Sequence, residues 1–512
     1  MNTKDKESKD VDEFIEDIDS AQAEQGAATS TDSKDVEEFT EKEQRKIIHK
    51  VDRRLVTGLG LLMGMCLMDR TNLGSASIAG MSEDLGLESG PKYSLVLLIF
   101  FVPYVLVQLP VNAIAQNISP RHFSSGVTVC WGVLMVGAAF VDEWWHLMII
   151  RALLGAFESS LYASLLPLLS AWYTRYDVHK RFSISYFISC LVSALGPVLA
   201  CGFMQMDGLS GLAGWRYIFL MEGVLNFVAA IIGWLLLVEY PKGSHKCWMF
   251  LTEKEEAFII RHINADRADA AEQIQFDLRD FLRPAKDWKV FTYYDVFVSY
   301  FPSIPYSTSF TTNRLLNRLS TCVSYSIAFF LPIILVSKLK FGVTAAQALS
   351  TPPYIVAGIW MHITAWSGDR YHIRGPLVLS NCLLSTIGLA LLGWVASPGV
   401  QYFGAILVTS GSNANVPTNL AWQANNIRGK WKRSFCNALL IMGGGAGGIV
   451  GSLVFRSQDA PTYRPGIIAS IVASVITMVI SVVLMLRMRV LNRKAATGTI
   501  VLEELAGFKY TL

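Results

Sequence analysis

The stretch LVTGLGLLMGMCLMDRTNLGSASIAGM, residues 55–81, is long and apolar, yet it carries the adjacent charged residues Asp69 and Arg70. Charges are costly inside a lipid bilayer, so an ionisable pair within a membrane span indicates a functional site. The small and polar residues that follow, including Asn72, suit a helix that lines a wet path between bundled helices. A competing interpretation ends the span near Met68 and places Asp69 in an exterior loop. The apolar continuation SASIAGM favours one long span.

The composition of the 512-residue chain is typical of a membrane protein. Hydrophobic residues make up 52% of the sequence and the mean hydropathy is +0.38. Twelve apolar runs of near-spanning length predict an all-α polytopic membrane protein with 12 transmembrane helices. The eight cysteines are scattered without metal or disulfide spacing, so we expect packing roles for them and no metal site. The polar first fifty residues do not form a signal peptide, and the first span would direct membrane insertion.

The predicted spans fall into two groups of six. They cover residues 55–80, 93–116, 124–141, 146–172, 182–204, 217–239, 320–337, 352–367, 376–396, 400–422, 434–455 and 467–487. Polar residues 241–290 predict a cytoplasmic linker between an N-terminal bundle over 51–240 and a C-terminal bundle over 320–490. Within the linker, Thr252 and Glu255 predict a capping box that starts a surface helix.

The sequence predicts a cytoplasmic tail at each end of the chain. Residues 1–50 are acidic and poor in large apolar side chains, so we expect this tail to be disordered. Its repeated motif, SKDVDEFIE at 8–16 and SKDVEEFTE at 33–41, is either a neutral duplication or a linear motif bound by a partner. Residues 491–512 form the second tail. Lys and Arg are concentrated in the loops after spans two, four, eight and ten, and this bias predicts that both termini are cytoplasmic.

An atypical polar insertion, residues 291–319, disturbs the start of the seventh span. The part from 298 to 320 is rich in Ser, Thr, Pro and Arg and interrupts what would otherwise be one apolar run. It is an ordered loop, a disordered insertion or an untranslated segment kept in the gene model. We favour the last interpretation because the segment supplies no recognisable motif. If it is translated, a damaged and inactive carrier becomes a further alternative.

Polar residues within the spans form the predicted substrate and proton pathway. Arg151 and Glu158 lie two turns apart on one helix face, and a buried Arg can bind a carboxylate bidentately. Each pathway residue is also open to a purely structural interpretation, as a paired charge or a packed polar group. The predicted pathway comprises Asp69, Arg70, Asn72, Arg151, Glu158, Glu222, His362 and Asn425. Aromatic residues that either line a cavity or anchor helix ends are Tyr104, Trp131, Tyr162, Tyr354, Trp360 and Trp422.

Several motifs resemble a known transporter family. The loop SGDRYHIRGP, residues 367–376, resembles the G-x(3)-D-R-x-G-R-R signature of the major facilitator superfamily. Longer stretches such as RALLGAFESSLYASLLPLLSAWY at 151–173 and YFGAILVTSGSNANVPTNLAWQANNIRG at 402–429 resemble the fungal anion:cation symporters. That group contains allantoate, nicotinate, pantothenate and biotin permeases. The resemblance implies two six-helix bundles that rock around a midplane site.

The same resemblance implies a conformational latch. In the superfamily the acid–base pair of this signature, here Asp369 with Arg370 and Arg374, ties neighbouring helix ends together. The equivalent loop of the first half, ISPRHF at 118–123, keeps Arg121 but lacks the acid. The resemblance therefore implies a complete latch in the second half only.

Together these features predict a secondary transporter that takes up a small organic anion with protons by alternating access. The anion would be a carboxylate such as a vitamin or an allantoate-like compound. We expect a monomer in the lipid bilayer of the plasma membrane, without catalytic residues, nucleic-acid partner or cofactor other than the proton gradient. The alternatives are an exporter of a secondary metabolite with the same fold and a non-transporting nutrient receptor.

Overall fold

The computed structural model describes residues 39–88, 90–115, 118–173, 175–242, 250–267, 308–371, 373–426, 430–455, 459–460, 462–498 and 508–511. The chain divides into two units, residues 1–50 and 51–512. In the first unit the described part starts at residue 39, and helix α1 begins at Glu41. The Thr40 N–H donates to Glu43 Oε2 at 2.9 Å and caps this helix start. Residues 41–50 are therefore helical, although the sequence predicted disorder up to residue 50. Residues 1–38 lie outside the described part of the chain.

Twelve long helices and one shorter linker helix make up the described part of the chain. They are α1 (Glu41–Ala76), α2 (Lys92–Ala115), α3 (Pro120–Ala138), α4 (Trp144–Trp172), α5 (Arg175–Met204), α6 (Gly214–Leu236), the linker helix α7 (Glu253–Arg267), α8 (Thr308–Ser337), α9 (Val343–Tyr371), α10 (Gly375–Trp394), α11 (Pro398–Asn425), α12 (Lys430–Val454) and α13 (Arg464–Ala496). Each long helix overlaps one predicted span. A π turn, Ser77–Met81, continues α1, so the alternative that ends the first span near Met68 is wrong.

The helices carry apolar side chains on their outer surfaces, as a bilayer requires. On α13, Val472, Val479 and Val483 are 50–58% exposed, whereas Thr477 and Ser481 are completely buried. This distribution is the reverse of a water-soluble helix, which buries its apolar face. Among the described helices, five are long and apolar enough to qualify as spans on length and composition alone.

The long helices form two six-helix bundles, α1–α6 and α8–α13, which meet along two seams. Helix α2 packs against α12, and α5 packs against α9. Hydrogen bonds also join the bundles toward the π-turn side: Gln347 Nε2 to Ser75 O at 3.3 Å, Thr351 Oγ1 to Ala194 O at 2.9 Å and Tyr93 OH to Phe329 O at 3.5 Å. The all-α fold with 12 transmembrane helices in two bundles is thus confirmed.

Glycines in α12 allow it to approach helices of both bundles. A Cβ at Gly447 would lie 2.3 Å from Arg318 O on α8, and one at Gly448 would lie 2.3 Å from a ring carbon of Phe101 on α2. Such distances leave no room for a side chain. The glycines of α12 therefore permit close helix packing.

The linker helix α7 has the predicted capping box. The Thr252 N–H donates to Glu255 Oε2 at 2.9 Å, and the Glu255 N–H donates to Thr252 Oγ1 at 3.4 Å. Ile259 and Ile263, four residues apart on this helix, are both buried.

The seventh span begins earlier than predicted. Helix α8 runs without interruption from Thr308 to Ser337, so the predicted boundary at Ser320 is too late. Asn317 is buried, and its Nδ2 donates to Leu440 O on α12 at 2.9 Å. The sequence obscured this start because polar residues that face the protein interior lower the hydropathy of the segment. Residues 298–307 lie outside the description, and the origin of the whole segment 298–320 stays a prediction.

Residues 508–511, within the predicted tail 491–512, return to the ends of α11 and α13. The Thr511 N–H donates to Asn426 Oδ1 at 2.8 Å, and Trp422 Nε1 donates to Thr511 O at 3.0 Å. Tyr510 is buried in the same cluster as Trp422. This part of the tail is therefore packed into the second bundle.

Replacing Gly155 by Ala should destabilise the first bundle. A Cβ at this position in α4 would lie 1.9 Å from Phe100 O on α2, and backbone cannot rotate away as a side chain can. Overpacking of this kind costs about 1–3 kcal/mol or more. We expect the melting temperature of the purified Gly155→Ala protein in detergent to fall by several degrees.

The matched control is Gly126→Ala on α3, where no described atom lies within 4 Å of the added Cβ. Ala is favoured over Gly in helices by roughly 1 kcal/mol, so this variant should melt at or above the wild-type temperature. Equal melting temperatures for the two variants would contradict the close α2–α4 contact.

Candidate functional site

Asp69 and Arg70 face different surroundings because they are consecutive residues of α1. Neighbouring helical residues point about 100° apart. Arg70 lines a cavity between the two bundles, whereas Asp69 faces Asn226 of α6 within its own bundle. Both residues are 3% exposed. The charged pair singled out from the sequence therefore contributes to two separate groups of polar side chains.

The Arg70 guanidinium has two fixed partners and one free nitrogen. Its Nε donates to Glu158 Oε1 of α4 at 2.5 Å, which makes a buried ion pair within the first bundle. Its Nη1 donates to the Tyr325 hydroxyl of α8, in the second bundle. Its Nη2 has no hydrogen-bond partner among the described residues. One N–H-bearing nitrogen thus remains available to an incoming acceptor.

Three tyrosines, Tyr104, Tyr162 and Tyr325, surround Arg70 and are called the tyrosine cage below. Their ring centres lie 5.1, 5.9 and 5.4 Å from the guanidinium carbon. Aromatic rings at such distances attract a cation through their quadrupoles. The cage therefore stabilises a positive charge in a place from which most water is excluded.

The cavity beside Arg70 lies between the bundles and measures about 90 Å³. Arg70 is the one formally charged side chain among the described lining residues. The first bundle further supplies Tyr104, Tyr162, Tyr186 and Ser193, and the second bundle supplies Asn317, Thr321, Ser324, Tyr325, Tyr354 and Asn413. The cavity thus combines one cation, an aromatic lining and neutral polar groups from both halves, an arrangement suited to a small ligand.

Asp69, Glu222 and Asn226 form a second buried group, called the carboxyl cluster below. Asn226 Nδ2 donates to Asp69 Oδ2 at 3.0 Å, and the side chain of Trp131 lies beside Asp69. Asp69 Oδ1 and both carboxyl oxygens of Glu222 are buried without a hydrogen-bond partner among the described residues. Unpaired charge is expensive in such surroundings, so this cluster is a natural place for a proton.

Arg151 lies between the ion pair and the carboxyl cluster. It interacts electrostatically with Glu158 and Asp69, and its guanidinium carbon lies 5.4 Å from the Phe100 ring centre. The same ring lies 5.5 Å from the guanidinium carbon of Arg70. The sequence left open whether Arg70 or Arg151 faces a substrate, and the structure assigns the cavity position to Arg70.

Three other predicted pathway residues, Asn72, His362 and Asn425, are not among the described residues that line the cavity. Asn72 is completely buried in α1, and neither of its amide atoms has a hydrogen-bond partner among the described residues. His362 is exposed on α9, with its ring 5.9 Å from that of Phe187, and Asn425 is the exposed last residue of α11. His362 and Asn425 lie outside the cavity lining, because hydropathy alone does not tell which helix face a polar residue occupies.

The predicted latch residues lie in both bundles, three of them at the connection between α9 and α10 and Arg121 in α3. Arg374 Nη2 donates to Asp369 Oδ1, so this acid–base pair is formed at the α9–α10 connection. Arg370 is exposed and lies 5.5 Å above the Trp366 ring. In the first bundle, Arg121 lies 4.0 Å above the ring of Trp234 on α6. The latch function itself stays a prediction.

Several residues of the site were not predicted from the sequence. Asn317, Thr321, Ser324 and Ala328 recur at intervals of three to four residues and line the cavity along one face of α8. This spacing is visible in the sequence, but residues 298–320 were interpreted as an insertion and not as the start of a helix. Asn226 follows Glu222 by one helical turn, which is also a detectable pattern.

Of the six aromatic residues singled out from the sequence, three line the cavity and three lie elsewhere. Tyr104, Tyr162 and Tyr354 line the cavity. Trp131 lies beside Asp69, Trp360 Nε1 donates to Asn381 Oδ1 at 2.9 Å, and Trp422 packs against Tyr510. The cavity-lining interpretation therefore holds for the tyrosines.

Removing one partner of the Arg70–Glu158 pair should destabilise the protein more than removing both. Glu158→Leu leaves a buried guanidinium without its carboxylate, which costs about 3–5 kcal/mol. The double variant Arg70→Met with Glu158→Leu buries no charge and should recover most of this loss. Thermal and denaturant unfolding of purified protein in detergent measures both effects.

The exposed His362→Ala variant is the control, and its unfolding free energy should stay within about 0.5 kcal/mol of the wild type. A Glu158→Leu protein as stable as the control would contradict the buried ion pair.

Comparisons with known proteins agree with this architecture. Residues 59–452 match the Major Facilitator Superfamily. The chain is 28% identical to the MFS-type transporter cnsO of Penicillium expansum, over 84% of this chain and 80% of that protein. It is 27% identical to the high-affinity nicotinic acid transporter of Saccharomyces cerevisiae, over 86% of this chain and 78% of that protein.

A solved structure shares the fold. The xylose transporter XylE from E. coli, in a partially occluded inward-open conformation, superimposes with a TM-score of 0.59 at 14% identity, over 84% of this chain and 97% of that one. At this identity the likeness concerns the fold alone. The family match covers well over half of the chain, so the protein belongs to the Major Facilitator Superfamily and is a multi-pass secondary transporter of a small molecule, not an enzyme.

Proposed function

We propose that the protein imports a small organic anion together with protons across the plasma membrane, with Arg70 as the anion receptor. The observation that carries the proposal is the free Nη2 of Arg70, a buried cation on the cavity wall. A carboxylate would accept a hydrogen bond from this nitrogen, which has no partner among the described residues. Arg suits this task because its planar donors match a carboxylate.

An anion at Arg70 would compete with Glu158 for the same guanidinium. Glu158 accepts its hydrogen bond from Nε, the nitrogen adjacent to the donor groups that face the cavity. When the anion shares the positive charge of Arg70, the Glu158 carboxylate loses part of its stabilisation and proton binding becomes easier. This competition would link substrate binding to protonation.

The carboxyl cluster is the proposed second element of proton coupling. Carboxyl oxygens of Glu222 and Asp69 have no hydrogen-bond partner among the described residues, and they lie on the side of α1 away from the cavity. Both carboxyl groups interact electrostatically with Arg151. Proton binding would remove a buried negative charge without altering the cavity lining. Anion and proton would then occupy adjacent but separate sites on the two faces of one helix.

The resemblance to fungal anion:cation symporters supports an organic anion as substrate. The concentration of Lys and Arg in the loops after spans two, four, eight and ten supports both termini in the cytoplasm. The similarity to a transporter named for nicotinic acid is consistent with a carboxylate. Transport would proceed by rocking of the two bundles around the cavity, with the hydrogen bonds near the π turn broken when the cavity opens to that side.

Uptake into yeast cells tests the proposal directly. Radiolabelled nicotinate, pantothenate, biotin and allantoate would be supplied at acidic and neutral pH, with and without a protonophore. We expect one anion to accumulate, faster at acidic pH, with accumulation abolished by the protonophore. Accumulation that ignores pH and protonophore would contradict proton coupling, and substrate loss from preloaded cells would indicate export.

Two variants should separate the anion site from the proton site. Arg70→Lys keeps the charge but loses the planar donors, so we expect weaker substrate affinity by at least about tenfold. Glu222→Gln should abolish accumulation yet preserve exchange of labelled for unlabelled substrate, because the bound anion no longer needs a proton at that position. His362→Ala is the transport-neutral control. A Glu222→Gln protein that still accumulates substrate would exclude Glu222 as a proton carrier.

A further inference from the structure

We infer that the cavity selects anions that also carry a hydrogen-bond donor, an N–H or O–H group, and that Asn317 of α8 accepts this hydrogen bond. The inference rests on the proposed function, because it assumes that the anionic group binds Arg70. It adds a second recognition element, contributed by the opposite bundle.

The orientation of the Asn317 amide follows from its packing. Its Nδ2 donates to Leu440 O at 2.9 Å. A backbone carbonyl can only accept a hydrogen bond, so the amide nitrogen must occupy this position and the oxygen the other. Asn317 lines the cavity at 4% exposure, and its Oδ1 has no hydrogen-bond partner among the described residues. Asn317 therefore offers the cavity an acceptor, and its side-chain donor is already engaged.

Neighbouring donors of the second bundle are committed to backbone carbonyls. Thr321 Oγ1 donates to Asn317 O at 2.7 Å, Ser324 Oγ to Ser320 O at 3.3 Å and Asn413 Nδ2 to Thr409 O at 2.9 Å. Tyr325 and Tyr354 are the exceptions: the Tyr325 hydroxyl accepts from Arg70 Nη1 and keeps its own O–H, and the buried Tyr354 hydroxyl has no partner among the described residues and can donate or accept. This wall therefore offers a ligand more acceptors than donors, and an unsatisfied acceptor is costly to leave buried.

The two walls of the cavity thus have complementary polarity. Arg70 of the first bundle and Asn317 of the second both line the cavity, and each has a buried atom without a hydrogen-bond partner among the described residues, the donor Nη2 and the acceptor Oδ1. A ligand with a carboxylate and a separate donor satisfies both atoms and connects the bundles. A ligand with the carboxylate alone leaves Asn317 Oδ1 unsatisfied, so it should bind more weakly.

Matched pairs of small acids test this selectivity. Purified protein in detergent is titrated with 3- and 4-hydroxybenzoate and with their methyl ethers, 3- and 4-methoxybenzoate, while thermal stabilisation is measured. Each ether keeps the carboxylate, ring and oxygen but lacks the donor. We expect at least one hydroxy acid to bind about tenfold more tightly than its ether, which corresponds to one hydrogen bond to a buried acceptor.

Variants assign the effect to Asn317. In Asn317→Ala, the hydroxy acid and its ether should bind equally, whereas the exposed-site control His362→Ala should keep the tenfold preference. The wild-type comparison alone remains decisive if the Asn317 variant does not fold. A preference that persists in Asn317→Ala would overturn the assignment to this residue.

The two kinds of failure are distinguishable. Equal binding of both members of each pair to the wild type would overturn the donor requirement and leave the proposed anion transport intact. Absence of stabilisation by all four acids, with the same result for the anions of the uptake assay, would overturn the anion site itself and the inference with it.

Discussion

The buried ion pair between Arg70 and Glu158 is the interaction on which the candidate site depends. Removing two charges from water carries a large penalty, which is offset only when the surrounding groups satisfy both partners. Here the tyrosine cage surrounds the cation, and the Nε of Arg70 donates to Glu158 at 2.5 Å. One guanidinium nitrogen is nevertheless left without a partner among the described residues. The pair is therefore buried and ion-paired yet incompletely satisfied, as the proposed role of Arg70 in binding an anion requires.

The helical period of α1 separates two kinds of chemistry that are adjacent in sequence. Asp69 faces Asn226 inside the first bundle, and Arg70 faces the cavity between the bundles. Arg151 connects the two groups, since it interacts with Glu158 on one side and with Asp69 on the other. A change of charge in the carboxyl cluster can thus alter the electrostatic potential at the cavity. The side chains that transmit this effect are held on helices, so no loop has to move.

The fold and the charged half of the site could be predicted from the sequence because their signals are local. Apolar runs predict the twelve helices, and the cost of burying charge is enough to single out Asp69, Arg70 and Glu158 within those runs. The neutral half of the site could not be found in this way. His362 and Asn425 have polar side chains as Asn317 does, and only the packing of each helix decides that Asn317 faces the cavity and the others do not. Hydropathy also placed the start of α8 too late, since it treats a polar interior face as a loop.

The start of α8 bears on whether residues 298–320 belong to a working transporter. A segment without a structural role would not be expected to continue a helix in register, yet Asn317 bonds Leu440 O and Thr321 lies against the glycines of α12. Gly447 is placed where any side chain would collide with Arg318 O. The small residues of α12 and the polar face of α8 therefore fit each other over this turn. Such complementarity links the segment from Leu316 onward to the cavity, whereas the origin of the segment 298–320 stays a prediction.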